Sequence, residues 1–470
     1  MTRPATDQPD RPAWPPLPTG LRERAVYPDD PRYRHVRSNY MRVGSPGLVV
    51  MARHDDEVTA TIRYADQVRE ATGERIPFSF RSGGHGMTRS SVNDGGIVLD
   101  VSRMNRIELT DPETGLVTVG AGAIWGDVAE TLAPHDLVLT SGNYGDTGVG
   151  GLATSGGVGF FVRSHGLTID RVLGARLVTA DGASRWVDAE HEPDLFWAVR
   201  GGSSQIGMVT DFLFRAEPLH SRSGDASVIN QMAHYQPDDL GRFVARWGDW
   251  IRRAPREMTS FLMIRRGARG PATVSAVNVW AGTDTARAVP VLEDAAGLAE
   301  LLDHSAILTP YPRVVPTPRE AHRGQQHVRL RDVLVDHADV ELGTAAEEAL
   351  SHRTTGLVEL RSLGGAVADV DPAATAWAGR HQEVLAASWV HPRGADAEDD
   401  AFAPLRRLGT GAYGAYSSDI RPTAAALAWP GPTGTRLRDI IGEIDPRSLF
   451  DQGLHLDRGP EDQPAGAGAT

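Results

Sequence analysis

The 470-residue chain is 40% hydrophobic and 23% charged, an ordinary soluble composition too long for a single core, so two to three domains are expected. Its net charge of −13 gives no electrostatic footprint for nucleic acid or an anionic membrane, and no run approaches the roughly 18 apolar residues of a membrane span. Cysteine is absent and all 48 basic residues are arginine, which removes thiolate, zinc-thiolate, Schiff-base and Walker-lysine chemistry.

Residues 1–18 are rich in proline and charge and lack the apolar stretch of a secretory signal; the lead-in is expected to be flexible to about residue 30, with a cytoplasmic location as the default. A strand is expected over 48–52, then a helix capped by Asp55 or Asp56 with Val58, Ile62 and Ala65 on one face. Residues 76–80 predict a buried strand that runs into Arg81-Ser82-Gly83-Gly84-His85-Gly86. The glycines let a ligand press against the backbone, and successive N–H groups in such a turn form a concave anion site suited to a diphosphate. Arg81 and Ser82 can add donors, and His85 projects from the rim. Taken alone, these six residues also describe a tight turn with a solvated histidine. Strands follow over 97–101 and 116–120, and Trp125, Val128 and Leu132 mark a helix over 124–132.

Gly142-Asn-Tyr-Gly-Asp-Thr-Gly-Val-Gly-Gly-Leu-Ala-Thr-Ser-Gly-Gly-Val-Gly159 is too glycine-dense for an ordinary core element. Residues 172–179 and 184–187 predict a hairpin around Ala180-Asp181-Gly182, followed by a helix over 193–200 and a strand over 206–214. Composition shifts after Pro218. Leu240, Phe243, Val244, Trp247 and Ile251 form an amphipathic helix whose work is core packing. Strands over 260–265 and 274–280, with helices near 284–302 and 372–385, complete a separate α+β unit. Of Trp247, Trp250, Trp280, Trp377 and Trp389, most are expected in the core, though any could wall an aromatic site.

Gly409-Thr-Gly-Ala-Tyr-Gly414 matches GxGxxG in form but lacks the preceding strand and following helix that a dinucleotide site requires. Sixteen histidines show no metal-ligand spacing; His322 and His327 are expected in solvent, and no metal is expected. Strand alternation puts Glu359 and Arg361 on one face, either as a surface ion pair or lining a site.

The two glycine segments, with the strands between them, resemble the cofactor-binding half of the berberine-bridge-type branch of the vanillyl-alcohol-oxidase flavoprotein family. The resemblance covers about 47–218 and resumes near 358–450, where Val358-Glu-Leu-Arg-Ser-Leu-Gly-Gly365, Gly411-Ala-Tyr-Gly-Ala-Tyr416 and Asp445-Pro-Arg-Ser-Leu-Phe450 are similar to family motifs. It implies an α+β fold: a two-subdomain FAD-binding domain of the vanillyl-alcohol-oxidase (PCMH) type over 31–218, a substrate domain with an antiparallel sheet over 219–404, a segment over 405–457 returning to the FAD domain, and a flexible tail over 458–470. FAD contacts are implied for Arg81, Ser82, Gly83, Gly84, His85 and Gly86 at the diphosphate. The second loop adds Gly142, Thr147, Gly148, Val149, Gly150, Gly151, Gly156, Gly157 and Gly159, and the adenine end Gly202, Gly207 and Val209. His85 takes the family's covalent link to the flavin methyl group. Tyr144 stands where many relatives place a second, cysteine link, so one link is expected, and this departure counts against a sugar oxidase.

The resemblance further implies hydride removal from a small molecule, an alcohol or a phenolic or polyketide-like metabolite, to flavin N5, with dioxygen reoxidising the flavin to give hydrogen peroxide. Tyr416, Tyr413, Glu359 and Arg361 are the candidates for proton removal, with Tyr416 favoured and Arg361 expected to lower its pKa; packed tyrosines on an edge strand are the plain alternative. Ala415 replaces an asparagine of the family motif. Thr147 is expected beside the reactive flavin edge. A dehydrogenase serving another electron carrier and a flavin-loaded binding protein remain open alternatives.

Overall fold

Short apolar strands, unable to stand in solvent alone, nucleate the first part of the chain. In the computed structural model, which describes residues 12–221, 224–267 and 271–456, β1 (Ala25–Val26), β2 (Leu48–Met51), β3 (Phe78–Arg81) and β4 (Ile97–Asp100) form one sheet in the order β1-β2-β4-β3. The pairs β2–β4 and β3–β4 are parallel and almost wholly buried, which accounts for their mainly apolar sequence, and the buried Arg81 at the end of β3 pairs with Asp100 at the end of β4. The helix Asp55–Thr72 packs Val58, Ile62, Ala65 and Val68 onto this core and ends at Gly73, whose φ of 68° suits a residue without Cβ. Its N-cap is His54 rather than either aspartate; Asp55 and Asp56 lie in the first turn, where the helix dipole favours negative charge.

β5 (Ile107–Asp111), β6 (Leu116–Gly120), β7 (Leu137–Val138), β8 (Val172–Val178), β9 (Ser184–Asp188), β10 (Met208–Arg215) and β11 (Glu217–Pro218) follow. Five of them make an antiparallel sheet, β5-β6-β10-β8-β9, and β7 pairs with β11. Asp181 closes the β8–β9 turn by accepting from the Ala183 N–H at 2.9 Å.

The rest is built on β12 (Ser227–Tyr235), β13 (Met258–Arg265), β14 (Thr273–Trp280), β15 (Leu301–Pro310), β16 (Arg329–Val335), β17 (Thr355–Ser362) and β18 (Val384–Val390). They form one antiparallel sheet in the order β15-β12-β14-β13-β17-β18-β16. Helices Leu240–Arg253 and Val340–Ser351, capped by the Asp239 and Asp339 side chains, pack into a core with Leu262, Ile264, Val358, Leu360 and Ala386. Successive strand residues point to opposite faces, so Met263, Glu359 and Arg361 emerge on the side away from that core. This parity places the site. With helices segregated around mainly antiparallel sheets, the fold is α+β in two parts, as the resemblance implied.

Four expectations need correction. Residues 12–30 are not a detached lead-in: Trp14 and Leu17 pack on the first core, the Tyr64 hydroxyl donates to Pro15 O at 2.8 Å, and β1 pairs with β2. Residues 1–11 and the expected tail over 458–470 lie outside the described residues. The helix expected over 372–385 is absent. That stretch runs as turns held by Arg380 on Asp170 (2.8 and 2.9 Å), and the apolar, valine-flanked run from Val384 forms β18 instead. The helix near 284–302 stops at Ala296 before Gly297, and Leu301 opens β15. The helix Ala395–Arg406 crosses the expected 404/405 division and buries Phe402 and Leu405 in the second core. No described helix is long and apolar enough to cross a membrane.

Candidate active site

A cavity of about 610 Å³ lies between the glycine loops and the exposed face of β13, β17 and β18. Its glycine wall is built by close backbone approach. A Cβ on Gly148 would sit 2.1 Å from Gly83 N, and one on Gly83 would sit 2.3 Å from Gly148 N, so neither position admits a side chain while the loops touch. The Ser82 hydroxyl donates to Ala121 O at 2.5 Å and ties the first loop down. Among the described residues, the backbone N–H groups of Ser82, Gly83, Gly84 and His85 donate to no protein acceptor, and all four residues line the cavity. Four unspent donors in one turn, with Gly84 at φ 74°, are a pattern able to cradle an anion.

His85 is held on three sides. Tyr40 stacks on its ring (centroids 4.7 Å, 15°) and His322 meets it edge-on (4.9 Å, 86°). His85 Nε2 lies 2.8 Å from Asp146 Oδ1, off the line of a hydrogen bond. His322 is 7% exposed, not solvated as expected; its Nε2 contacts Gly83 O at 2.7 Å, which fixes the proton there. Burial, and then the neighbouring His85, push the His322 pKa down to about 4. One ligand atom each from His85, Asp146 and His322 lie within 4.8 Å of one another, a grouping that no linear spacing in the sequence could reveal.

On the facing wall, three side chains close a triangle. Arg361 Nε donates to Glu359 Oε1 (2.9 Å), Arg361 Nη2 to the Tyr416 hydroxyl (2.6 Å), and that hydroxyl to Glu359 Oε2 (2.7 Å). Glu359 and Arg361 are each 4% exposed, so the surface-pair alternative does not hold. Tyr416 is not on a strand. Gly411 makes one bridge to Leu334, and Gly414–Tyr416 is a single 3₁₀ turn that swings the ring under the guanidinium, 4.4 Å from its centroid. The expected lowering of the Tyr416 pKa is also overturned. Burial raises it well above the ordinary value, Arg361 opposes this, and Glu359 adds to it. Tyr413 is buried and committed elsewhere, its oxygen accepting from Gly157 N–H at 3.0 Å and its own N–H bonding Asp332 Oδ1 at 2.6 Å.

The FAD-binding domain family matches residues 46–188. The chain is 35% identical over 196 residues to (R)-6-hydroxynicotine oxidase of Paenarthrobacter nicotinovorans, a stretch covering 41% of each chain, so it spans less than half of that relative. An FAD-linked oxidoreductase of Bacillus subtilis, YvdP, is 27% identical over 453 residues, covering 92% of this chain and 97% of its own. Among solved structures, the berberine-bridge-enzyme-like protein 1 of Physcomitrella patens superposes with a TM-score of 0.79 at 19% identity, over 93% of this chain and 97% of that one. Residues 46–188 belong to the FAD-binding domain family, and the chain is similar along its length to an FAD-linked oxidoreductase. The cradle of unspent N–H groups and the touching glycine loops fit this family's cofactor.

Of the family-derived positions, Ser82, Gly83, Gly84, His85, Gly86, Gly142, Thr147, Gly148, Gly150, Gly151, Gly207 and Val209 line the cavity, as do Tyr413, Tyr416, Glu359 and Arg361. Six do not. Arg81 is buried in an ion pair with Asp100 and donates to Val36 O. Val149 sits in the core, and Gly156, Gly157, Gly159 and Gly202 are close-packing positions whose Cβ atoms would strike Trp377, Thr168, Ser141 and Ala198. Sequence reasoning missed Tyr40, Met263, Arg265, Gln326 and His391 on the cavity wall, because each comes from a strand or loop with no motif around it. Of the five tryptophans, Trp389 lines the cavity; Trp247, Trp250 and Trp280 are core.

Asp332, beneath Tyr413, is buried with its Oδ2 unpartnered among the described residues, and burial lifts its pKa to about 8. A folded-state pKa above the unfolded one means stability is full below about pH 4 and is lost as pH rises towards 8. Asp332→Asn is therefore expected to flatten this decline: thermal midpoints at pH 5 and 8.5 should differ less in the variant than in the parent. Parallel pH profiles would count against a proton held on Asp332.

Proposed function

We propose that the chain is an FAD-dependent oxidase acting on an alcohol carbon of a small molecule, with 31–218 and the segment after Arg406 holding the cofactor and the unit between them covering it with a substrate wall. The observation that carries this reading is the Glu359–Arg361–Tyr416 triangle set across one cavity from the glycine cradle. Bound FAD would supply the hydride acceptor and return the electrons to dioxygen as hydrogen peroxide.

The chain's task is the proton. As the C–H electrons leave, the substrate O–H must lose its proton to a group within hydrogen-bond reach. A buried tyrosine with a raised pKa does not wait as a phenolate. Tyr416 instead accepts the substrate proton on its oxygen as its own proton passes to Glu359 Oε2, 2.7 Å away. Arg361, donating to both partners, holds the triangle together and steadies the charge that moves through it. Tyr413, whose oxygen takes the Gly157 N–H, serves packing rather than proton transfer. Thr147 lies on the glycine wall, where its hydroxyl suits the oxygen-reacting edge.

Anaerobic mixing of the flavin-loaded protein with primary aryl alcohols tests the reading. Bleaching of the flavin, followed by one hydrogen peroxide per aldehyde when oxygen is admitted, is the expected result. Bleaching with reoxidation by a dye but not by oxygen would make it a dehydrogenase; no bleaching would leave only a binding protein.

The cofactor is further expected to be bonded once, to His85. Asp146 stands against Nε2, leaving Nδ1 as the nitrogen free to reach the flavin methyl group. Tyr144 lines the cavity without a thiol, and the chain has no cysteine for a second bond. Acid-precipitated protein should keep its yellow fluorescence, with the mass of one FAD on the His85 peptide, and His85→Ala should lose both while still binding FAD. Release of all flavin from the parent on denaturation would disprove the link.

A further inference from the structure

The cavity floor is a ladder whose character changes with depth. Register across β13, β17 and β18 sets Phe261 beside Arg361, Met263 beside Glu359 and Ala387, and Leu357 beside Trp389. Continuing the β13–β17 register places Arg265 level with Leu357. His391 comes one step further out, where its N–H extends the ladder to Thr354 O at 2.8 Å. The inner end therefore carries the Glu359–Arg361–Tyr416 triangle with Met263 beside it, the next level carries Leu357 and Trp389 with the exposed Arg265 at their edge, and His391 lies outermost. At about 3.3 Å per strand residue, Arg265 is about 7 Å from the Glu359 level and His391 about 13 Å.

The mouth carries the positive charge of Arg265, and that charge is unspent. Arg265 and the His391 ring have no hydrogen bond or ion pair among the described residues, whereas the next residue, Arg266, is tied to the carbonyls of Leu350 and His352. Glu359 is the one carboxylate among the described lining residues, and it is already paired with Arg361. On a protein of net charge −13, a cavity mouth with this composition is a local attraction for anions.

We propose that the substrate carries a carboxylate, received by Arg265 with His391, about 7–13 Å from the carbon presented to Tyr416, the two ends joined by an apolar, flat stretch lying along Met263, Leu357 and Trp389. This rests on the oxidase reading for the direction of the reacting end, but the anion contact does not depend on turnover. Guanidinium suits the task because its planar fork matches a carboxylate, and a charge-assisted pair at a cavity mouth discriminates by affinity without entering the chemistry.

The test titrates the flavin-loaded protein with 4-(hydroxymethyl)cinnamate and with its primary amide at low ionic strength, reading the perturbation of flavin absorbance. The acid is expected to bind about 10-fold more tightly than the amide, the scale of one hydrogen-bonded charge contact. Arg265→Gln should remove that preference by weakening the acid far more than the amide, Arg265→Lys should keep part of it, and His391→Gln should cost less. Equal affinities in the parent, no binding of either probe, or an acid preference that survives Arg265→Gln overturns the proposal. Preferential acid binding with no reduction by any alcohol would sink the oxidase reading alone; reduction by neutral alcohols without acid preference would sink this inference alone.

Discussion

Tyr416→Phe is expected to slow flavin reduction by about 10²–10⁴-fold, the span of a lost acid–base group, while FAD stays bound. The substitution removes one oxygen and leaves the ring under Arg361, so packing and the cation–ring contact at 4.4 Å survive. What is lost is the link between a substrate hydroxyl and Glu359. Burial raises the Tyr416 pKa, which disfavours a resting phenolate and favours the relay. The relay makes a second, sharper demand: Glu359→Gln should cost about as much as Tyr416→Phe, and the double variant should be no slower than either, since residues acting as a unit are strongly non-additive. Rapid-mixing reduction kinetics read all three. Tyr416→Phe reduced at the parent rate would remove the tyrosine from the reaction. Additive losses would separate it from Glu359.

The cofactor half was legible because its chemistry is done by backbone. A diphosphate cradle needs glycines in one short run, so Arg81–Gly86 and Gly142–Gly159 announced themselves, and the two runs touch at Gly83 and Gly148. The same density misled in detail: Gly156, Gly157 and Gly159 are glycines for packing against Trp377, Thr168 and Ser141, and sequence cannot distinguish a glycine that meets a ligand from one that meets a neighbour. The substrate half was legible only through alternation. Glu359 and Arg361 share a face, but what they face depends on which side the helices cover, and that is decided by Leu262, Val358 and Leu360 across two strands. The Tyr416 pKa was misjudged for a related reason. A neighbouring arginine was readable from the motif, whereas burial and the second partner, Glu359, arise only when distant segments meet. His322 was expected in solvent because a long excursion through the second sheet separates it from His85.

Arg361→Met is expected to be the most destabilising single change at the site, by about 3–5 kcal/mol, the usual result of stripping one member from a buried ion pair. Methionine fills much of the guanidinium's space between Phe261 and Tyr416, so the effect is not mainly a cavity. The cost lies with Glu359, 4% exposed, which keeps donors from Tyr416 and the longer Trp389 contact (3.4 Å) but loses its one cation among the described residues. Removing the stranded charge should therefore help: Glu359→Gln combined with Arg361→Met is expected to be more stable than Arg361→Met alone, although it deletes more native contacts. Val158 O, which accepts from Arg361 Nη1 at 3.2 Å, is left unpaired in both and cancels from the comparison. Denaturant midpoints of the three variants, taken with FAD in excess so that cofactor loss does not dominate, give the answer directly. A double variant no more stable than the single would mean that Glu359 is solvated or already protonated when its partner is gone, and that the triangle is held by packing and not by charge.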